Sequence, residues 1–110
     1  MSARFTITSK ADRDLDDIAD DLVGRASIDV AIRFLAAAEE TFALVATQPD
    51  RGWRCRLSHA DLQAARVFRL AGPFDKYLMF YVPSPGHIKV LRVLHGAQDI
   101  EERLGAEGVV

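Results

Sequence analysis

Three apolar runs stand between Arg66 and Leu94, and the gaps between them are too short to hold a helix. Arg66–Leu70 alternates polar and apolar residues and stops at Ala71-Gly72-Pro73. Tyr77–Val82 (YLMFYV) is apolar or aromatic throughout and lacks Gly and Pro, as befits a central strand. His87–Leu94 is the third run. It is set off by Pro83-Ser84-Pro85-Gly86, where two prolines and a glycine are expected to end the ladder. Parallel neighbours need a crossover of about a dozen residues or more, so short breaks allow only hairpins. The C-terminal half therefore reads as an antiparallel three-stranded meander.

The N-terminal half follows a different period. Arg4–Thr8 alternates like a half-buried strand with Phe5 and Ile7 facing the core. Ser9 reads as a helix N-cap with Asp12 three residues on, and the helix it opens runs to about Gly24. Ala11, Leu15, Ile18, Ala19 and Leu22 form its apolar face, and Asp14, Asp16, Asp17, Asp20 and Asp21 its polar one. Ser27 caps a second helix over residues 28–47, with a wide apolar stripe of two rows. One row is Ile28, Ala31, Leu35, Ala38, Phe42 and Val45, and beside it lie Val30, Phe34, Ala37, Thr41 and Leu44. Pro49 stops that helix, and Asp50-Arg51-Gly52 turns the chain. Residues 53–65 have no dominant period and are read as a loop. The order strand, two helices, three strands makes a single α+β domain over residues 1–110, an antiparallel helical hairpin packed on an antiparallel sheet. The N-terminal strand is expected to join that sheet, its partner left open.

The charge is divided. Residues 1–50 carry five Lys/Arg against ten Asp/Glu, a net of −5, and residues 51–95 carry eight against two, a net of +6. A basic half suits an acidic peptide, a phosphate backbone or an anionic protein surface, or is simply a solvated sheet face. Carboxylates four apart, such as Asp16 with Asp20, can share a divalent ion. The run lacks the spacing of a calcium loop and no His joins it, so it reads as a solvated acidic face with no metal. Cys55 is the only cysteine, which excludes an internal disulfide and a cysteine metal cage. No apolar run reaches the roughly 18 residues of a membrane span, and the N-terminus has no apolar signal-peptide stretch. The expectation is a cytoplasmic protein without a cofactor.

Several stretches occur together in one order: TSKADRDLDDIADDL (8–22), Pro49 and Gly52, Arg66, YLMFYV (77–82) and LRVLHGAQDI (91–100). In this the chain resembles the ParE branch of the RelE/ParE superfamily of toxins. The resemblance runs from Phe5 to about Ile100. Its most specific parts are the LHGAQD ending and the Ala11, Asp14, Leu15, Ile18 start of the first helix. It implies a bacterial growth inhibitor neutralised by a ParD-like antitoxin. The ParE branch acts on DNA gyrase without being enzymatic, whereas the RelE branch cleaves messenger RNA on the ribosome.

Chemistry separates the two branches in part. RNA cleavage through the 2′-hydroxyl needs a base, an acid and cations for the phosphate. For a nuclease, Arg66 and Arg92, with Arg69, would hold the phosphate and His95 would serve as acid or base. RelE-like chains tend to place a tyrosine shortly after this His, and here stands Ile100. The expectation is therefore a protein that grips its target, with direct nucleic-acid binding reserved for the RelE-like alternative. A non-toxic binding module of the same fold is the third reading. Candidate partner-binding residues are Phe34, Trp53, Arg66, Arg69, Arg92, His95 and Asp99, the last also a candidate ion-pair partner of Arg92. The antitoxin is expected to lie over the basic half and along the helical hairpin. Ile28, Phe34 and Leu44 add more apolar surface than one small sheet face can bury, which predicts a poorly behaved isolated chain.

Overall fold

The computed structural model describes residues 4–55, 63–96, 100 and 104. Strand β1 (Arg4–Ile7) leads into helix α1 (Ser9–Arg25) and helix α2 (Ile28–Thr47). Strands β2 (Trp53–Arg54), β3 (Arg66–Arg69), β4 (Tyr77–Ser84) and β5 (His87–His95) follow, with a 3-10 turn over Gly72–Phe74. They form one five-stranded sheet in the order β1-β5-β4-β3-β2. The β3–β4–β5 meander is antiparallel as expected, and β1 joins it in parallel beside β5. The fold is α+β, with the helical hairpin on one sheet face.

Four local expectations are corrected. Thr8, not Ser9, caps α1, its Oγ1 accepting from the Ala11 N–H at 3.1 Å. That hydroxyl also donates to the Leu91 carbonyl at 2.9 Å, so one residue closes β1 and opens the helix. Ser27 does cap α2 through the Val30 N–H. The β4 ladder continues through Pro83 and Ser84, which pair with Ile88 and His87, leaving Pro85-Gly86 as the turn. A two-residue turn closes on a hydrogen-bonded pair, which makes Pro83 opposite Ile88 a pair without such bonds. The missing N–H of Pro83 then points away from β5, past Tyr81, where the β3 pairing has ended, and costs no ladder bond. Within residues 53–65, Trp53–Arg54 form a short strand against Val67 and Arg66. Finally, Ile7 is more than a third exposed, and only Phe5 of β1 packs into the core, its ring edge-on to Phe42 at 5.5 Å.

The main core lies between hairpin and sheet. Phe34 is its centre, edge-on to both Phe74 and Tyr77, with Phe42, Met79, Tyr81, Ile88, Val90 and Val93 around it. The opposite sheet face is apolar too. Val67, Phe80, Leu91 and Leu94 are buried there with Ala65 and Leu104, and Ile100 packs against them. Two covered faces explain why β4 is apolar at nearly every position instead of alternating.

Parallel β1 ends at Ile7 opposite Val90, while β5 runs on to His95. Beyond that point the open edge of β5 is covered by α1. The Leu91 carbonyl takes the Thr8 hydroxyl, and the Val93 N–H donates to Asp14 Oδ2 at 3.0 Å. The ladder slips by one residue here, Phe80 pairing with Arg92 and Tyr81 with Val90. This local bulge lies where Arg92 meets the first helix.

Candidate functional site

The residues singled out from the sequence separate into three groups. The first is internal. Arg92 is 3% exposed and lies against Asp14, which is 5% exposed. Its Nε donates to Asp14 Oδ2 at 2.7 Å and its Nη2 to Oδ1 at 2.8 Å, a bidentate fork between β5 and α1. Asp14 is thus not part of the solvated acidic face expected of it. Asp99, the partner anticipated for Arg92, lies outside the described residues. Phe34 is fully buried at the centre of the core, so its ring is not presented to a partner.

Arg66 forms the second group with Tyr81 and Gly52. The Tyr81 hydroxyl donates to the Pro49 carbonyl at 2.8 Å and accepts from the Gly52 N–H at 2.9 Å. Arg66 Nη1 donates to the Gly52 carbonyl at 2.7 Å, with the Asp50 carboxylate 3.8 Å from Nη2. Burial is the main influence on the Tyr81 hydroxyl and raises its pKa above the usual 10.0, against the opposing pull of the Gly52 bond and the Arg66 charge. A Cβ on Gly52 would stand 2.6 Å from the Tyr81 hydroxyl and from the Val67 carbonyl. Pro49, Gly52, Arg66 and Tyr81, scattered in sequence, therefore form one unit that fixes the α2–β2 turn to the sheet. The sequence marked Arg66 as basic without showing that its charge is directed at backbone carbonyls.

The third group lies on the sheet side away from the hairpin and at the strand end, where His95 is paired with Tyr77 on the hairpin side. Trp53 is 45% exposed, and the Arg69 guanidinium lies over its ring at 5.5 Å from the centroid. A hollow of about 710 Å3 is lined by Trp53, Val67, Leu78, Phe80 and Ile100, with Arg54 and Arg69 among its polar groups. Next to it, Arg69, Asp75, Lys76 and His95 line a second hollow of about 560 Å3. His95 is half-buried, edge-on to Tyr77 with centroids 5.0 Å apart. The following Gly96 donates to the Lys76 carbonyl at 2.7 Å. A Cβ there would meet that oxygen at 3.1 Å, so the His-Gly pair lets the end of β5 close tightly on the start of β4. Of the cations proposed to surround a phosphate, only Arg69 lies with His95 in this hollow. Arg92 is committed to Asp14, and Arg66 to the turn.

A separate apolar surface lies on the hairpin. Ile28 and Ile32 on α2 are 67% and 60% exposed, and Leu35, one turn on, is also exposed. They follow the i, i+4, i+7 spacing of one helix stripe. Val23 at the end of α1 and Leu44 further along α2 are exposed as well. Among the described residues, no three His, Cys, Asp or Glu are grouped to hold a metal ion. No described helix is long and apolar enough to cross a membrane.

These features can be set beside known proteins. No curated protein sequence matches the chain. Among solved structures, a chain of the "Chromosomal ParDE TA system from P. aeruginosa" superposes with a TM-score of 0.67 at 18% identity, covering 86% of this chain and 96% of that one. At that identity the likeness speaks for the fold alone. The sequence itself carries the assignment, since residues 5–100 match the family described as the ParE toxin of type II toxin–antitoxin systems, parDE. With strand, helical hairpin and meander in place around the Asp14–Arg92 fork and the LHG ending, the chain belongs to the ParE toxin family.

Proposed function

We propose that this ParE-family chain inhibits growth by binding DNA gyrase without cutting nucleic acid, and that a ParD-like antitoxin neutralises it. The observation that carries the non-enzymatic half is the dispersal of the nuclease candidates. Phosphate chemistry needs converging cations with a base and an acid. Arg92 instead serves a buried carboxylate, Arg66 a backbone turn, and Ile100 offers an aliphatic wall in the outer hollow. The antitoxin half is supported by the exposed Ile28–Ile32–Leu35 stripe, which suits the apolar face of an amphipathic helix laid along α2. The same stripe supports the expectation that the isolated chain is poorly behaved, with Phe34 removed from the reasons for it. Trp53 and Arg69 are the outward-facing residues we assign to partner contact on the sheet side, and His95, beside Tyr77 at the strand end, is assigned to partner contact there.

Induced expression without an antitoxin tests this reading. Filamented cells with translation continuing are the expected result. Rapid arrest of protein synthesis with cleaved messenger RNA would replace it with the RelE-like reading, and unaffected growth with that of a non-toxic binding module.

A further inference from the structure

A third hollow, of about 410 Å3, opens between α1, the start of β4 and the end of β5. It is lined by Tyr77, which is 8% exposed and wedged edge-on between Phe34 and His95. The Tyr77 hydroxyl makes no hydrogen bond with the described residues, and no described side-chain polar atom that is shut off from solvent lacks a partner. The hydroxyl therefore opens on the hollow that its ring lines. Tyr81, the other buried tyrosine, instead both donates and accepts inside the fold.

The facing wall is one stripe of α1. Asp14, Asp17 and Asp21 recur on it at i, i+3 and i+7, with Ile18 among them and Arg25 at the end of the row. Two of the three carboxylates are answered from within the chain, Asp14 by Arg92 at 2.7 Å and Asp21 by Arg25 at 2.9 Å. Asp17 has no ion pair among the described residues. Arg25 does not serve it, since eight residues of helix set the two about 12 Å apart along the axis. The hollow thus holds one uncompensated carboxylate and one uncommitted hydroxyl, with Ile18 and the His95 ring as wall between them.

We infer that this hollow binds one monovalent organic cation, a primary ammonium or guanidinium group on a short aliphatic stem. The head lies against the Asp17 carboxylate and donates to the Tyr77 hydroxyl, and the stem runs over Ile18. The charge count sets the class. One excess carboxylate matches one cationic head, and a bond from a charged donor is stronger than a neutral one. Among the described residues no third ligand is grouped to hold a metal ion instead. The site lies apart from the α2 stripe and the outer sheet face, and it does not rest on the gyrase reading.

The probe is butylguanidinium, compared with its neutral isostere butylurea, and a Gly/Ser peptide with one central arginine separates a free cation from a partner's side chain. Amide-resolved NMR of the purified chain should show saturable shifts at Ile18 and Tyr77 with at least one of the two cations. Asp17→Asn should weaken binding at least about tenfold and Tyr77→Phe about threefold. Asp16→Asn, on the same helix but outside the hollow, should leave it unchanged. Circular dichroism should show all three variants folded. Binding of butylguanidinium assigns the site to a free cation, and binding of the peptide alone to a side chain. Butylurea binding as tightly, equal losses in Asp16→Asn and Asp17→Asn, or no saturable shift with either cation would each overturn the inference.

Discussion

Replacing Asp14 with alanine is expected to lower the unfolding free energy by about 3–5 kcal/mol, a large part of the roughly 5–15 kcal/mol that holds a small domain together. The magnitude follows from what the change leaves behind. Arg92 is 3% exposed, so loss of the carboxylate strands a guanidinium charge away from water. It also removes the acceptor of the Val93 N–H, on the β5 edge that has lost its β1 neighbour. Arg92→Ala should cost a similar amount by stranding the carboxylate. Asp14→Leu combined with Arg92→Met should recover much of the loss, because two apolar groups of similar volume leave no buried charge, with the unpaired Val93 N–H as the remaining deficit. By contrast, the exposed pairs Arg25–Asp21 and Arg33–Asp29 are worth only about 0–1 kcal/mol each. Urea denaturation of the single and double variants measures this. Single variants as stable as those of the exposed pairs would contradict the placement of Arg92 in the scaffold.

Gly52→Ala is expected to be the next most damaging change after the Asp14 and Arg92 variants, at about 2–4 kcal/mol. The new Cβ meets two oxygens at 2.6 Å, and the two differ in how far they can yield. The Tyr81 hydroxyl can move, at the cost of its bonds to Pro49 and Gly52. The Val67 carbonyl cannot move without disturbing the β2–β3 pair, where Trp53 stands opposite Val67. Tyr81→Phe alone should cost less, about 1–3 kcal/mol, since it leaves the Gly52 N–H and the Pro49 carbonyl to find other partners. The two oxygens also make a discriminating double variant. Removing the hydroxyl relieves one clash and keeps the other, so Gly52→Ala with Tyr81→Phe should stay well below wild type in the same denaturation experiment. Full recovery would show that the hydroxyl alone opposes the Cβ.

Much of the fold was legible because each half of the chain keeps one period. The meander followed from gaps too short for a crossover, and α2 from its cap and its 3.6-residue repeat. What escaped was set by groups distant in sequence. In the sequence Pro83 reads as a stop because a proline removes a donor, yet the direction in which that donor would point depends on the turn beside it. Thr8 lost to Ser9 as a cap because its second role, bonding Leu91, spans 83 positions. The Asp14–Arg92 pair is more instructive. Asp14 reads as one of five aspartates on a polar face, although it falls at the spacing of Ala11, Leu15 and Ile18, inside the apolar stripe. Arg92 stands likewise between Leu91 and Val93. A lone acid and a lone base in apolar surroundings each imply a buried counterion, and together they point to each other. That signal was in the sequence. The covering of the outer sheet face by Ile100 and Leu104 had no such signal, since neither lies in a periodic run.

The family-specific strand thus joins two functions of its residues. Arg92 locks it to α1, while His95 and Gly96 shape the hollow beside Lys76. A supercoiling assay with purified chain and DNA gyrase tests the reading of a gripping protein most directly. The chain is expected to block introduction of supercoils, and the Asp14→Leu, Arg92→Met double variant, once shown to be folded, is expected to block it as well. Supercoiling left untouched, with ribosome-bound messenger RNA cut by the chain and spared by that double variant, would contradict that reading.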